Sequence, residues 1–351
     1  MGFQIKALPG GQVFAAEPGE AILDAALRHG LTLPYGCRDG ACGACRGQVL
    51  SGEVDYGRAQ FSTLSKADRD AGFALFCCAS ARSDLVIASR EVRSGRELQI
   101  KTLPARIEKL ERLAPDVMLI ELKLPASERL QFLPGQYIDV LLRGGRRRTF
   151  SLANAPHDDA LLQLHVRHNP GGVFTDQVFG SMKARDLLRI RGPYGDFFLR
   201  EDSVKPMLLV AGGTGFAPIK SIVEHAIAEN SDRPMHVYWG GRRRVDLYLR
   251  ETAESWAQTR ASLRFVPVLS EAQADDRWDG RTGLVHVAAM ADLPDLSGYQ
   301  AYVCGSPEMV AATRRDFVGQ CGLPDDEFFA DSFESANDSA PTTPPTPPTT
   351  D

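Results

Sequence analysis

Phe3, Ile5 and Ala7 alternate with polar neighbours, a two-residue period that predicts a strand, and a second alternating run follows the turn at Pro9, Gly10 and Gly11. The run GEAILDAALRHG then sets Ile22, Leu23, Ala26 and Leu27 at helical spacing, with Gly30 where a C-terminal glycine cap belongs. A Cys- and Gly-rich loop interrupts the periodicity. From Gln99 to about Ser203 the pattern becomes strands separated by turn signals: ARIEKLERL, VMLIELKL, GQYIDVLL, RRTFSLAN, LLQLHVRH and LLRIRG. That spacing predicts an antiparallel barrel.

From Pro206 to Phe333 strands and helices alternate: MLLVAGG, a helix from Pro218 to Asn230, HVYWGG, a helix after Asp246, LRFVPVLS, QAYVCGS, a helix from Pro307, then EFFADSF. Such alternation predicts a parallel sheet with crossover helices. The last stretch, SANDSAPTTPPTPPTTD, carries five prolines and almost no apolar side chains, and is expected to be a disordered tail. The expected division is therefore 1–95, 98–203, 204–334 and a tail at 335–351.

Composition narrows the class. A chain of 351 residues exceeds one ordinary core, and 43% apolar with 24% charged residues is globular. No apolar run approaches the roughly 20 residues that span a bilayer, so no membrane span is expected. The first residues show no export signal, which points to the cytoplasm, a reducing compartment where the seven cysteines serve as metal ligands or free thiols. A net charge of -5 argues against a nucleic-acid binder and leaves room for an acidic face toward a basic partner.

Cys37, Cys42 and Cys45 stand in PYGCRDGACGACRG as C-x4-C-x2-C, and Cys77 lies 32 residues beyond Cys45. This is plant-type [2Fe-2S] spacing, in which four thiolates converge on two irons. Gly36, Gly40 and Gly43 let the backbone approach the sulfurs. A zinc site is the alternative, but it usually pairs two knuckles and only one exists here. The segment ALFCCASARSDLVI resembles plant-type ferredoxins, whose last ligand aligns with Cys77 through Ala79, Ser83 and Asp84, leaving Cys78 and Cys321 as packing residues.

RTFS (Arg148, Thr149, Phe150, Ser151) resembles the R-x-Y-S motif of the ferredoxin reductase superfamily of flavoproteins, with Phe150 in place of Tyr. The resemblance implies Arg148 on a flavin pyrophosphate, the Phe150 ring against the isoalloxazine and the Ser151 hydroxyl near its reactive edge. LHVRHNPGGVFTDQVF resembles the second flavin stretch, with Val166 and Arg167 on a strand and Gly172, Val173, Phe174 and Thr175 opening a helix. LLVAGGTGFAP resembles the dinucleotide loop, here Gly212, Gly213, Thr214, Gly215 and Pro218. YVCGSPEMV resembles the signature in which Cys304 and Gly305 end a strand beside the nicotinamide. YWGGRRRVDLYL resembles the segment at the adenosine end, where Arg242, Arg243 and Arg244 could meet a 2′-phosphate or form a solvated loop. Phe333 in FFADSF is the ring expected over the flavin, with Phe329 the alternative.

Up to the tail, the chain resembles the reductase components of multicomponent oxygenases and, in YWGGRRRVDLYL and LFCCASARSDL, the CDP-6-deoxy-delta-3,4-glucoseen reductase type. The resemblance implies a β-grasp ferredoxin domain, a flavin-binding antiparallel β-barrel and a Rossmann-like nucleotide domain. It implies electrons passing from a nicotinamide dinucleotide through a flavin and a [2Fe-2S] cluster to a redox protein such as an oxygenase component or deoxysugar dehydratase. Ser151 and Cys304 are then the catalytic candidates. FAD is favoured over FMN and NADH over NADPH, and both alternatives stay open, as does a diaphorase-like reductase without a cluster.

Overall fold

The computed structural model describes residues 2–29, 31, 33–35, 38, 40–41, 43–61, 63–89 and 98–333. Gly30, Gly36, Cys37, Cys42 and the tail at 335–351 lie outside the described residues. Among the described residues, no helix is long and apolar enough to cross a membrane.

The N-terminal strands β1 (Phe3–Leu8) and β2 (Gln12–Ala16) pair as the expected hairpin and lead into α1 (Ile22–Arg28). Then come β3 (Arg46–Ser51), β4 (Val54–Asp55), α2 (Lys66–Asp70), β5 (Phe73–Leu75), β6 (Ser80–Ala81) and β7 (Leu85–Ala88). The sheet order is β2-β1-β7-β3-β5, with β1 and β7 parallel and the other pairs antiparallel. One helix crosses it, which is the β-grasp arrangement. Ile22 and Leu23 of α1 are fully buried in the same core as Phe14, Phe76 and Ile87, each stabilising by about 1.5–3 kcal/mol relative to exposure. Ser65 caps α2 through a reciprocal hydrogen-bond pair with Asp68.

The second sheet comprises β8 (Lys101–Ala114), β9 (Val117–Lys123), β10 (Tyr137–Leu141), β11 (Arg147–Ser151), β12 (Leu162–Arg167) and β13 (Leu187–Tyr194), with α3 (Val173–Gly180) between the last two. All its pairs are antiparallel in the order β11-β10-β13-β8-β9-β12. An antiparallel bridge between Leu152 and Leu164 joins the two ends of that order, so the sheet closes into a barrel. Alternation sends Leu164 and Val166 into the barrel core while His165 and Arg167 face away from it.

The third sheet is parallel throughout, in the order β17-β16-β15-β14-β18-β19. Its strands are β14 (Met207–Gly212), β15 (Met235–Gly241), β16 (Leu263–Leu269), β17 (Arg281–Thr282), β18 (Gln300–Gly305) and β19 (Phe328–Ser332). The helices are α4 (Phe216–Ala228), α5 (Arg250–Thr259), α6 (Val285–Asp292) and α7 (Pro307–Gln320). Strand order reverses between β14 and β18, and the crevice at such a switch is where α/β sheets take ligands. The sequence places the first helix at Pro218, but it starts at Phe216, because the glycine turn Gly213–Gly215 runs straight into it as a 3-10 turn. Pro218 is therefore the third helical residue. Helix α6 is absent from the sequence expectation: its buried face includes the polar His286 and its exposed face the apolar Val287, so its apolar pattern has little helical contrast.

The units share cores. Tyr137 and Tyr194 of the barrel join the N-terminal core, and Phe197 and Leu199 join the core of the parallel sheet.

Candidate functional site

A cleft of about 890 Å³ among the described residues is walled by the barrel strand β11, the turn before α3, the glycine loop after β14 and the end of β19. Arg38 and Arg58 of the N-terminal unit also reach it. Parts of all three units thus face one space.

On the barrel side, Arg148, Phe150 and Ser151 line the cleft from β11. Phe150 is half-buried and packs on Phe174, ring centroids 5.3 Å apart, so its ring is positioned from behind. The Ser151 hydroxyl is buried without a hydrogen-bond partner. Leaving such a group unsatisfied costs about 1–3 kcal/mol, so a ligand atom at this point would recover that penalty. Arg167 behaves alike: its Nε and Nη2 are buried without hydrogen bonds, held only by Asp116 at 3.5 Å and Asp246 at 3.7 Å. Gly172 caps α3, and a Cβ there would sit 2.8 Å from the Thr175 hydroxyl, which donates to Asn169 O at 2.8 Å. These unsatisfied donors and the close glycine turn fit a ligand bearing polar ring atoms and phosphate.

On the nucleotide side, Gly212, Gly213 and Thr214 line the cleft, with Gly213 in the left-handed region at φ 54°. Trp239 Nε1 donates to Gly213 O at 2.9 Å, and Phe216 stacks on Trp239 with centroids 3.7 Å apart, fixing the loop from below. A Cβ on Gly215 would lie 2.1 Å from Cys304 O, so the loop packs directly on the end of β18. Arg242 lines the cleft, its backbone N–H donating to Asp246. Arg243 is bound to Asp275 at 2.5 Å and Asp276 at 2.6 Å, and the Arg244 guanidinium donates to Asp276 O. Phe333 is half-buried at the mouth, and its N–H donates to Gly305 O at 2.9 Å.

In the N-terminal unit, Cys45 and Cys77 are both buried, with their Sγ atoms 3.2 Å apart, although 32 residues separate them. Cys78 Sγ is 3.6 Å from Cys77 Sγ and occupies the space where Gly40 has no Cβ, which would approach it to 2.7 Å. Gly40 and Gly43 both have positive φ, as a loop folded tightly around sulfur requires. A thiol from such a loop converging with one from the turn after β5 suits an iron-sulfur cluster.

The cleft thus gathers Arg148, Phe150, Ser151, Arg167, Gly172, Thr175, Gly212, Gly213, Thr214, Arg242, Gly305 and Phe333. Val166 and Phe174 point into the barrel core instead, and Val173, Gly215 and Pro218 lie behind the lining. Cys304 is completely buried and is not in the lining, and burial, followed by Asp331, pushes its thiol pKa well above the usual value. Phe329 is core, stacked on Tyr302 at 5.0 Å. Sequence reasoning misses His165, which lines the cleft and meets the Tyr248 hydroxyl at 3.0 Å. Its alternation opposite Val166 is the signal that could have found it.

The family model for a 2Fe-2S iron-sulfur cluster binding domain matches residues 5–82, that for an oxidoreductase FAD-binding domain residues 104–199, and that for an oxidoreductase NAD-binding domain residues 209–315. The chain is 40% identical over 333 residues to the CDP-6-deoxy-L-threo-D-glycero-4-hexulose-3-dehydrase reductase of Yersinia pestis, covering 95% of this chain and 99% of that protein. It is 39% identical over 313 residues to the aromatic O-demethylase reductase subunit of an Amycolatopsis species, covering 88% and 92% respectively. Its fold matches the crystal structure of the Amycolatopsis cytochrome P450 reductase GcoB with a TM-score of 0.74 at 37% identity, covering 94% of this chain and 98% of the other.

Proposed function

The chain belongs to the family of reductases that join 2Fe-2S cluster-binding, FAD-binding and NAD-binding domains, and we propose that it draws its electrons from NADH and delivers them to an oxygenase component or a sugar-nucleotide dehydrase. It is an NAD(P)H-dependent electron-transfer reductase that works through FAD and the cluster. The proposal divides it at 1–95, 98–203 and 204–334, ranges within which the three matched segments fall. A reducing compartment, the cytoplasm, suits thiolates that must stay unpaired to take up iron.

The observation that carries the reading is the single cleft shared by the RTFS strand, the glycine loop and the cluster unit. FAD supplies the ability to accept two electrons together and release them one at a time. In this reading Arg148 and the α3 N-terminus with Gly172 and Thr175 hold its phosphates, Phe150 supports its ring, and Arg167 and Ser151 offer hydrogen bonds to the ring edge. Gly212, Gly213 and Thr214 receive the dinucleotide, with Gly215 packing the loop on the end of β18, and the dinucleotide's pyrophosphate meets the amide-rich start of α4. Gly305 and Cys304 close the floor beside the nicotinamide, Cys304 through its backbone because its thiol is buried. Cys37, Cys42, Cys45 and Cys77 hold the iron.

NADH is favoured because the arginine run is largely occupied. Arg243 and Arg244 are taken by Asp275 and Asp276, and the hollow beside Arg242 is also lined by Asp246 and Glu271. A 2′-phosphate would meet one available guanidinium and two carboxylates, a poor balance for a group carrying nearly two negative charges.

Two variants test the flavin assignment. Arg148→Ala removes a charge-assisted contact typically worth about 1.5–3 kcal/mol, so the protein should lose flavin on dilution. Ser151→Ala should keep flavin and slow its reduction, since a hydrogen bond at the reacting edge matters most as charge develops there. Flavin content and stopped-flow reduction by NADH read both out, and ordinary values in the two variants would sink the assignment. Equal kcat/KM for NADPH and NADH would overturn the nucleotide preference.

A further inference from the structure

We propose that Arg38 is a positioning residue for electron transfer, a member of the cluster loop whose side chain reaches the cleft, so that its charge favours the electron's passage from flavin to iron. The proposal rests on the reading that this chain holds both groups.

Arg38 lies between Cys37 and Cys42 in sequence. Its backbone φ is 65°, in the left-handed region where the neighbouring Gly40 and Gly43 also sit. Glycine adopts that conformation without penalty, whereas a residue with a Cβ does not, so the loop carries strain to aim a long cationic side chain. That side chain is only 17% exposed. It pairs with Asp24 of α1 at 2.8 Å, its guanidinium carbon lies 5.7 Å from the centre of the Tyr194 ring on β13, and it lines the cleft that also holds Arg148 and Ser151. The Arg38 carbonyl accepts from the Arg58 guanidinium at 3.2 Å, and Asp196 N–H of the barrel donates to Tyr35 O at 2.7 Å. The chain is thus fastened to the barrel three residues before this position, and to the N-terminal unit's own Arg58 at it.

In the transfer itself one electron leaves the reduced flavin and one iron gains it, with no covalent bond made or broken. The cluster site becomes more negative by one charge. A weakly solvated guanidinium on the residue next to Cys37 in sequence stabilises that added charge. Asp24 is half-exposed and offsets part of this effect. Removing the guanidinium and removing its counter-charge must therefore move the cluster in opposite directions.

The experiment is a spectroelectrochemical titration of the full chain loaded with flavin and cluster, comparing wild type with Arg38→Gln, Arg38→Lys and Asp24→Asn. Arg38→Gln should shift the one-electron equilibrium away from the cluster about tenfold, which is about 59 mV. Arg38→Lys should keep most of the wild-type value, and Asp24→Asn should shift it toward the cluster. A loaded Arg38→Gln protein with an unchanged potential overturns the proposal, as does Arg38→Lys shifting as far as Arg38→Gln, since charge would then not be the cause. If Arg38→Gln does not retain its cluster, Asp24→Asn decides: a shift toward the cluster supports the proposal and none overturns it. Wild-type protein without iron would instead overturn the underlying reading.

Discussion

Cys77 and Cys78 are adjacent and chemically identical, and only the direction of each side chain separates their roles. Cys77 converges on Cys45, while Cys78 fills the space left by the missing Cβ of Gly40. Cys77→Ser should therefore abolish the cluster's visible absorption and iron content, with the flavin bands still bleaching on NADH addition. Cys78→Ser should keep both iron and absorption. Iron assay and visible spectra of the two proteins check this, and the reverse outcome would exchange the assignments. The thiol spacing was legible because ligand geometry dictates separations along a loop, and RTFS because one strand carries it. Trp239 and His165 were not, since each acts on a residue far away in the chain, Gly213 and Tyr248, which no local pattern reports.

Elements add constraints that single residues lack. The loop after β14 is pressed against the end of β18, and its glycines differ in what confronts them. A Cβ on Gly215 meets the Cys304 carbonyl, backbone of an inner strand that cannot yield, whereas one on Gly212 meets Met309 Sδ at 2.5 Å, the far end of a flexible side chain. Gly215→Ala should cost about 1–3 kcal/mol, an overpacking penalty, and Gly212→Ala less than about 1 kcal/mol. Denaturation midpoints distinguish them, and equal losses would refute this packing account. On β12, His165 faces away from the barrel core yet is buried by the parallel sheet's side, and that burial, with Lys220 nearby, lowers its pKa to about 3. Above about pH 6.5 the ring is neutral both folded and unfolded. Below it the unfolded chain takes up a proton that the folded protein refuses, so stability falls as pH drops from 6.5 toward 3, by at most about 1.4 kcal/mol per unit. His165→Gln should flatten that slope, and a wild-type slope retained in the variant would show that other groups set it. Strands and most helices here follow from period alone, but α6 exposes the apolar Val287 and buries the polar His286, so its sequence gives no such contrast.

At the scale of the whole molecule, the order of the three units was legible from changes in pattern, but their docking was not, because it depends on pairs such as Tyr35 with Asp196 that carry no periodic signal. Docking matters most where β19 ends, since it brings Phe333 to the cleft that β11 lines from another unit. Phe329, four residues earlier, is held between Tyr302 and the Arg200 guanidinium, 4.5 Å from its ring centre, so Phe329→Ala should cost about 3–5 kcal/mol of stability. Phe333 packs only against the edge of the parallel sheet's core and is half-buried at the mouth. If its ring covers the flavin face that nicotinamide must reach, nucleotide binding has to displace a stack worth about 0.5–1.5 kcal/mol. Phe333→Ala should then bind NAD about two- to tenfold more tightly, because the displacement is no longer required. Titrating the oxidised, flavin-loaded proteins with NAD and NADP measures this directly. Unchanged affinity together with lowered stability would make Phe333 a packing residue like Phe329, and tighter binding at unaltered stability would establish it as the ring that yields to the nicotinamide.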